Sequence, residues 1–214
     1  MVQKESMKPR GRPRQFDRET ALDAMREVFW NKGYAATSLD DLCEAAGLNR
    51  PSLYNAFGDK GQVFLGVLDA YVAAVRPRYE AAFRAPGNLR QVMKGIFRTA
   101  ADIYRVMDKD GGRGCLLIGA ALTDATRDPH VGEAILTQLQ DMEKGFLWLF
   151  ARAKADGDLP AHADPKTLAK LASSVHTALS VRMRAGEPPE SLRAYVEAMI
   201  DLICPLPAQA SPSV

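Results

Sequence analysis

The segment "NRPSLYNAF" combines a guanidinium, two amides and two hydroxyls, and it contains no carboxylate. Arg50 can hold the O6 and N7 atoms of guanine with two hydrogen bonds, and Asn55 can hold adenine in the same way. The ring of Pro51 can lie against a thymine methyl group, and the hydroxyls of Ser52 and Tyr54 can bond phosphate oxygens. These residue types therefore fit the major groove of double-stranded DNA.

A short helix is expected to hold these side chains on one face. Asn49 can cap its start, and Pro51 falls within its first turn, where a missing N–H has little cost. At about 100° per residue, Leu53, Ala56 and Phe57 group on the opposite side as an inner face. A surface helix with arbitrary polar residues would give the same pattern, so the pattern alone leaves both explanations open.

The preceding residues predict the other half of a helix–turn–helix. Ser38 can cap a helix over 39–46, and Asp41 follows three residues later, where the acid of a capping box is usual. Gly47 makes the turn into the second helix. A longer helix over 17–32 is expected to precede this pair.

A set of residues between positions 33 and 60 has a recognisable order. Its members are Gly33, Tyr34, Thr37, Ser38, Ala46, Gly47, Leu53, Tyr54, Phe57 and Lys60. With these residues, the segment of about 15–65 resembles the DNA-binding domain of the TetR family of transcriptional regulators. The sequence departs from the family at Ala56, where a His or another aromatic is usual, and at Gly61, where an acid is usual.

The resemblance implies roles for the polar residues of this segment. Phosphate groups would be held by Thr37 or Ser38, by Tyr54 and by Lys60, and base edges would face Arg50, Pro51, Ser52 and Asn55. It also implies a homodimer and a ligand pocket in the larger C-terminal part of the chain.

The N-terminal arm carries most of the positive charge. Residues 1–14 hold five basic residues and one acidic residue, a balance of +4, whereas the whole chain has a net charge of +2. The stretch "RGRP" resembles the core of an AT-hook, so Arg10, Arg12 and Arg14 are expected to lie in the minor groove. A solvated basic tail is the alternative explanation.

Composition limits the class of protein. A hydrophobic content of 47% and a charged content of 25% are ordinary for a soluble chain, and no apolar run approaches the ~20 residues of a membrane span. Cys43, Cys115 and Cys204 are widely separated and lack metal-ligand spacing, which favours a reducing cytoplasm over a disulfide framework. The histidines and the stretch "DKDGG" do not fit zinc or calcium patterns, so no metal and no cofactor is expected.

The organisation of the chain is predicted to be all-α, because helical patterns fill it between short breaks and no β-type alternation occurs. The helix from Asp59 is expected to join two domains and to be interrupted near Pro77. The predicted parts are a flexible basic arm over 1–15, a helix–turn–helix domain over 16–62, a helical effector-binding and dimerisation domain over 63–205, and a disordered tail over 206–214.

The larger domain contains aromatic stripes that could line a pocket for a small molecule. Phe97, Tyr104 and Met107 share one helix face, and Phe146 belongs to a stripe on another helix. Trp148 falls on a polar side of that second helix, so it is expected at a pocket or an interface. Ordinary core packing is the alternative explanation of the two stripes.

Cys115 follows "DGGRG" and opens the apolar run "CLLIGAAL". The nearby Arg113 and a position at a helix N-terminus would favour its thiolate, and some members of the family it resembles use a cysteine in a "GCL" context to sense oxidants or electrophiles. A small buried hydrophobic residue is the alternative. An enzyme with Cys115 as nucleophile would need a nearby base, which the sequence does not display.

The last two helices are expected to form the dimer contact. The small residues that would let helices approach closely are Ala169, Ser173, His176 and Ser180, although an intramolecular core would explain the larger residues of these helices equally well. The family resemblance, rather than the periodicity, favours the dimer. With it, the sequence predicts a homodimeric regulator, more often a repressor, bound to a palindromic operator with half-sites ~34–36 Å apart and released by a small molecule or an oxidant. A sequence-tolerant architectural DNA binder is the alternative.

Overall fold

The computed structural model describes residues 16–105 and 112–204, and it confirms the all-α prediction because no β-strand occurs in these two ranges. Arg10, Arg12, Arg14, Met107 and the tail lie outside the described residues. The helices within them are α1 (Arg18–Ala36), α2 (Leu39–Ala46), α3 (Arg50–Phe57), α4 (Lys60–Phe83), α5 (Leu89–Arg105), α6 (Leu116–Ala121), α7 (Pro129–Ala155), α8 (Pro165–Arg184) and α9 (Pro189–Ile203).

Local capping sets the bounds of α2 and α3, as predicted. The hydroxyl of Ser38 accepts a hydrogen bond from the backbone N–H of Asp41, whose carboxylate accepts one from the backbone N–H of Ser38. Gly47 ends α2 in the left-handed conformation with φ of 63°. Asn49 then caps α3 by accepting a hydrogen bond of 2.8 Å from the N–H of Ser52.

Helices α1, α2 and α3, with the first turns of α4, form the head of the molecule. Its centre contains Met25, Phe29, Leu42 and Leu53, each fully buried. The ring of Phe29 meets that of Phe64 from α4 edge to face, with centroids 5.1 Å apart. The inner face predicted for α3 is therefore confirmed.

Helix α4 connects the head to the larger helical part. The prediction of an interruption near Pro77 is wrong, because the helix runs through Pro77 from Lys60 to Phe83. Proline removes one backbone hydrogen bond from a helix, and the packing of neighbouring helices compensates for this loss. The N-terminal half of α4 thus lies in the head, and its C-terminal half lies against the other helices.

The larger part has an aromatic core. Phe146 of α7 is fully buried, and its ring centroid lies 6.1 Å from that of Phe97 in α5 and 6.4 Å from that of Phe150. Helices α7 and α8 make the most extensive contact in the structure, and α9 packs on α8 and α5. No helix in residues 16–105 and 112–204 is both long and apolar enough to cross a membrane.

Candidate nucleic-acid interface and cavity

The outer face of α3 carries the side chains that the sequence selects. Arg50, Pro51 and Asn55 are exposed, and Tyr54 keeps 49% of its surface accessible. Ser52 is half-buried at the edge of this face. Because Leu53 and the rest of the inner face anchor α3 to the head, the outer side chains are presented on a fixed helix.

A carboxylate that sequence reasoning missed lies beside this face. Asp40 of α2 accepts two hydrogen bonds from Arg50, of 2.8 Å from Nε to Oδ1 and of 2.7 Å from Nη2 to Oδ2. The pair lowers the pKa of the Asp40 carboxyl and raises the pKa of the Arg50 guanidinium. The sequence signal for it is weak, because the two residues begin different helices and are ten positions apart.

Thr37 and Ser38 point in different directions. Thr37 is buried, and its hydroxyl donates a hydrogen bond of 2.7 Å to the carbonyl of Gly33. Ser38 is exposed, and its oxygen accepts the capping bond from Asp41, which leaves the hydroxyl hydrogen directed away from that bond. Of the two alternatives, Ser38 has the geometry for a phosphate contact.

Lys60 has its ammonium group turned toward the end of α1. The group donates to the carbonyls of Tyr34 at 3.0 Å, of Ala35 at 3.4 Å and of Thr37 at 3.1 Å, and it lies 4.6 Å from the centre of the Tyr34 ring. An ammonium has three hydrogens, so these carbonyls use all of them. Lys60 therefore closes the C-terminal end of α1, where backbone carbonyls lack helical partners.

Tyr34 also joins the head to the larger part. Its hydroxyl donates a hydrogen bond of 2.9 Å to Asp128, which caps α7. Burial, followed by the bond to Asp128, raises the pKa of Tyr34 to about 12. A Cβ atom at Gly61 would lie 3.5 Å from this hydroxyl and 3.3 Å from an oxygen of Asp59, so a side chain here would pack directly beside the Tyr34–Asp128 contact.

A cavity of about 290 Å³ lies where α4, α5, α6, α7 and α8 meet. Its walls are largely apolar, with a polar cluster formed by Tyr79, Tyr104 and His176. His176 Nε2 is 2.8 Å from the hydroxyl of Tyr79 and 3.0 Å from that of Tyr104. The apolar lining includes Val72, Val75, Leu117, Ile118, Leu139 and Met142.

The cavity contains two of the predicted ligand-binding residues. Tyr104 and Cys115 line it, whereas Phe97 and Phe146 are closed within the aromatic core and do not. Trp148 is 47% exposed on α7, where Arg152 lies over its ring at 5.4 Å from the centroid, and it is outside the cavity. Helical periodicity reveals which faces are buried, but not whether a face meets a neighbour or a cavity.

Of the two explanations left open for Cys115, the structure favours the neutral residue, because burial raises the pKa of its thiol. Arg113 forms an ion pair with Glu27 of α1 and lies over the ring of Trp30, rather than beside the sulfur. The backbone N–H of Cys115 donates a hydrogen bond of 2.7 Å to the hydroxyl of Ser180. Cys115 is thus a neutral thiol at the cavity wall.

The small residues predicted for the dimer contact face inward. Ala169, Ser173, His176 and Ser180 are all buried within the protomer, against the neighbouring helices. The outer surfaces of the same region carry apolar side chains instead. These are Leu136 on α7, Leu171 and Val181 on α8, and Leu202 on α9.

Comparison with known proteins links these features to bacterial regulators. The family model for bacterial regulatory proteins, tetR family, matches residues 21–67. The chain is 31% identical over 186 residues to the HTH-type transcriptional repressor ComR of Escherichia coli, covering 86% of this chain and 88% of ComR. It is 29% identical over 195 residues to the HTH-type transcriptional repressor BdcR of the same organism, covering 91% of this chain and 92% of BdcR.

A solved structure shows the same architecture. A cysteine mutant of the TetR family transcriptional regulator CifR, complexed with 26-bp double-strand operator DNA, has a TM-score of 0.79 and 35% sequence identity to this chain. The match covers 88% of this chain and 98% of CifR. Similarity therefore extends over the head and the larger helical part together.

Proposed function

Because the chain belongs to the TetR family of bacterial regulatory proteins, we propose that it is a dimeric repressor that binds a palindromic operator through α3 and is released by an effector. The observation that carries the proposal is the outer face of α3, where Arg50, Pro51, Tyr54 and Asn55 are exposed on a helix with a buried inner face. The major groove of DNA admits such a helix, and these side chains match the edges of base pairs.

The geometry of the head supports a division between base contacts and phosphate contacts. Arg50 and Asn55 are assigned to base edges, with Pro51 and Ser52 beside them. Ser38 and Tyr54 are assigned to phosphates, because both are exposed residues that carry a hydroxyl. Thr37 and Lys60 are assigned to support of the head, because their polar atoms already bond carbonyls of the α1 end.

Repression is favoured over activation by two relatives, since ComR and BdcR are both transcriptional repressors. A dimer is favoured by the exposed apolar side chains of α8 and α9, including Leu171, Val181 and Leu202. Two heads related by a two-fold axis would read two half-sites ~34–36 Å apart, which explains a palindromic operator.

Release by an effector is supported by the position of the cavity. Tyr71, Val75 and Tyr79 of α4 line it, and the same helix begins in the head. A bound effector that requires a shifted position of α4 would favour dimers in which the distance between the two heads no longer matches the two half-sites. A modification of Cys115 would have the same effect. A hundredfold loss of operator affinity requires ~2.7 kcal/mol of coupling, which is within the usual range for two linked sites.

The test begins with selection of bound fragments from random duplex DNA, followed by fluorescence anisotropy on the enriched duplex and its single-base-pair variants. Asn55→Ala is expected to reduce discrimination at one position by ~1–3 kcal/mol, because a bidentate base contact is lost. Arg152→Ala is the control, since it removes a cation from α7 rather than from the head. Equal binding of all duplexes by the unmodified protein would contradict the proposal and favour an architectural DNA binder.

A further inference from the structure

The ion pair between Asp40 and Arg50 connects the two helices of the helix–turn–helix at the edge of the reading face. Its two hydrogen bonds, of 2.8 and 2.7 Å, join one side of the guanidinium to both oxygens of the carboxylate. We propose that Asp40 is a specificity-determining residue, which positions Arg50 for one base pair without touching the base itself. The inference rests on the proposed reading of DNA by α3.

The geometry leaves the other side of the guanidinium available. A guanidinium has five N–H hydrogens, and the bonds to Asp40 use one on Nε and one on Nη2. The two hydrogens of Nη1 and the second hydrogen of Nη2 remain. Neighbouring hydrogens on Nη1 and Nη2 point in parallel, which is the arrangement that guanine O6 and N7 accept.

The pair matters because Arg50 has little other support. Its side chain is 59% exposed, and that of Asp40 is 70% exposed. A long exposed side chain occupies many rotamers, and its ordering on DNA would oppose binding. Asp40 restricts these rotamers before DNA arrives, so the fork of Arg50 is preorganised toward one position of the groove.

Asp40 has a second, opposite effect on binding. Its negative charge lies near the surface that would approach phosphates, so it reduces affinity for every duplex. Removal of the carboxylate is therefore expected to strengthen overall binding while weakening discrimination at the base pair that Arg50 reads. A residue that acted through its charge alone would change the overall affinity for DNA and leave discrimination at that base pair unchanged.

The experiment compares Arg50→Ala, Asp40→Asn, the double variant and Glu44→Gln, all as full-length protein. Glu44 is the matched control, because it is an exposed acid of the same helix that is not the partner of Arg50. Affinities are measured by fluorescence anisotropy for the duplex enriched from a random library and for all its single-base-pair variants at one salt concentration.

Arg50→Ala is expected to reduce discrimination at one base pair by about fivefold to 150-fold. Asp40→Asn is expected to reduce it at the same base pair by about twofold to fivefold, the range of an exposed ion pair, and to add nothing in the Arg50→Ala background. Glu44→Gln is expected to raise affinity for all duplexes with discrimination intact.

Two outcomes would overturn the inference. Unchanged discrimination in Asp40→Asn, despite a clear loss in Arg50→Ala, would show that Asp40 acts through its charge alone. A loss in Asp40→Asn that persists in the Arg50→Ala background would show that it acts through another residue. The proposed reading of DNA by α3 fails in a different way, since Arg50→Ala and Asn55→Ala would then change no base position.

Discussion

Three polar side chains that line the cavity, His176, Tyr104 and Cys115, are neutral because they are desolvated. Desolvation lowers the pKa of His176 to about 4 and raises the pKa values of Tyr104 and of Cys115. A charged group placed against this neutral cluster would lose its hydration without compensation from the cluster. The part of the cavity around Tyr79, Tyr104 and His176 therefore favours an uncharged, largely apolar portion of an effector, whereas Arg76, Glu80 and Asp141 supply charges elsewhere in the lining.

The neutral imidazole of His176 makes stability depend on pH. Because its pKa falls from 6.5 to about 4 on folding, the unfolded chain binds more protons between these values, and the folded state loses stability as pH falls through this range. This loss should be on the order of 3 kcal/mol. When the free energy of unfolding is measured in urea at pH 7, 5.5 and 4, it should depend less on pH in His176→Gln than in the unmodified protein. The exposed His162 is the control, and a flatter profile in His162→Gln as well would contradict this origin.

The thiol of Cys115, half-buried at the cavity wall, should react slowly at neutral pH because its pKa is raised. In a Cys43→Ser, Cys204→Ser background, the rate of alkylation by iodoacetamide should rise with pH toward a midpoint above 9.0, the value of an ordinary thiol. Urea should restore the ordinary midpoint, because unfolding removes the burial. A midpoint near neutral pH in the folded protein would instead indicate a thiolate and a directly reactive sensor.

At the scale of helices, the head was predictable because its signals are local. Ser38, Gly47 and Asn49 cap or end helices through contacts within three or four residues, so the bounds of α2 and α3 follow from the sequence. The same holds for the outer face of α3, since a helical wheel separates it from Leu53 and Phe57.

Contacts between helices were not predictable in this way. The pairing of Asp40 with Arg50 and the cavity position of Tyr79 each depend on how helices pack. Phe146 has the periodicity of a pocket residue, but it faces other aromatic rings. Sequence periodicity thus identifies buried faces, and tertiary packing decides what each face contacts.

Substitution of Lys60 can distinguish a residue that stabilises the end of α1 from a residue that binds DNA. Lys60→Met removes three charged hydrogen bonds from the end of α1, so the free energy of unfolding should fall by about 1–3 kcal/mol. The slope of log affinity against log salt should remain unchanged. Lys32→Met is the control, since Lys32 forms an exposed pair with Asp41. If Lys60→Met instead reduced the slope of log affinity against log salt by ~0.9 and left the free energy of unfolding unchanged, Lys60 would be a phosphate contact.

At the scale of the whole molecule, helix α4 and the segment before α6 are among the connections that join the cavity to the head. Helix α4 contributes Val75 and Tyr79 to the cavity and Phe64 to the core of the head. The segment before α6 places Cys115 at the cavity, and the carbonyl of Arg113 accepts a hydrogen bond of 3.4 Å from the indole of Trp30 in α1. A change at the cavity can therefore reach two of the helices that orient α3.

This coupling has consequences for DNA only if two heads are held at a fixed spacing. Leu171→Glu places a charge on the exposed apolar surface of α8, so it should convert the proposed dimer to monomers in sedimentation velocity and weaken DNA binding, because a single head would read one half-site. Leu122→Glu makes the same change at an exposed leucine of the turn after α6 and should leave both properties intact. If the Leu171→Glu variant remained dimeric and the Leu122→Glu variant became monomeric, the dimer contact would lie around α6 instead of α8.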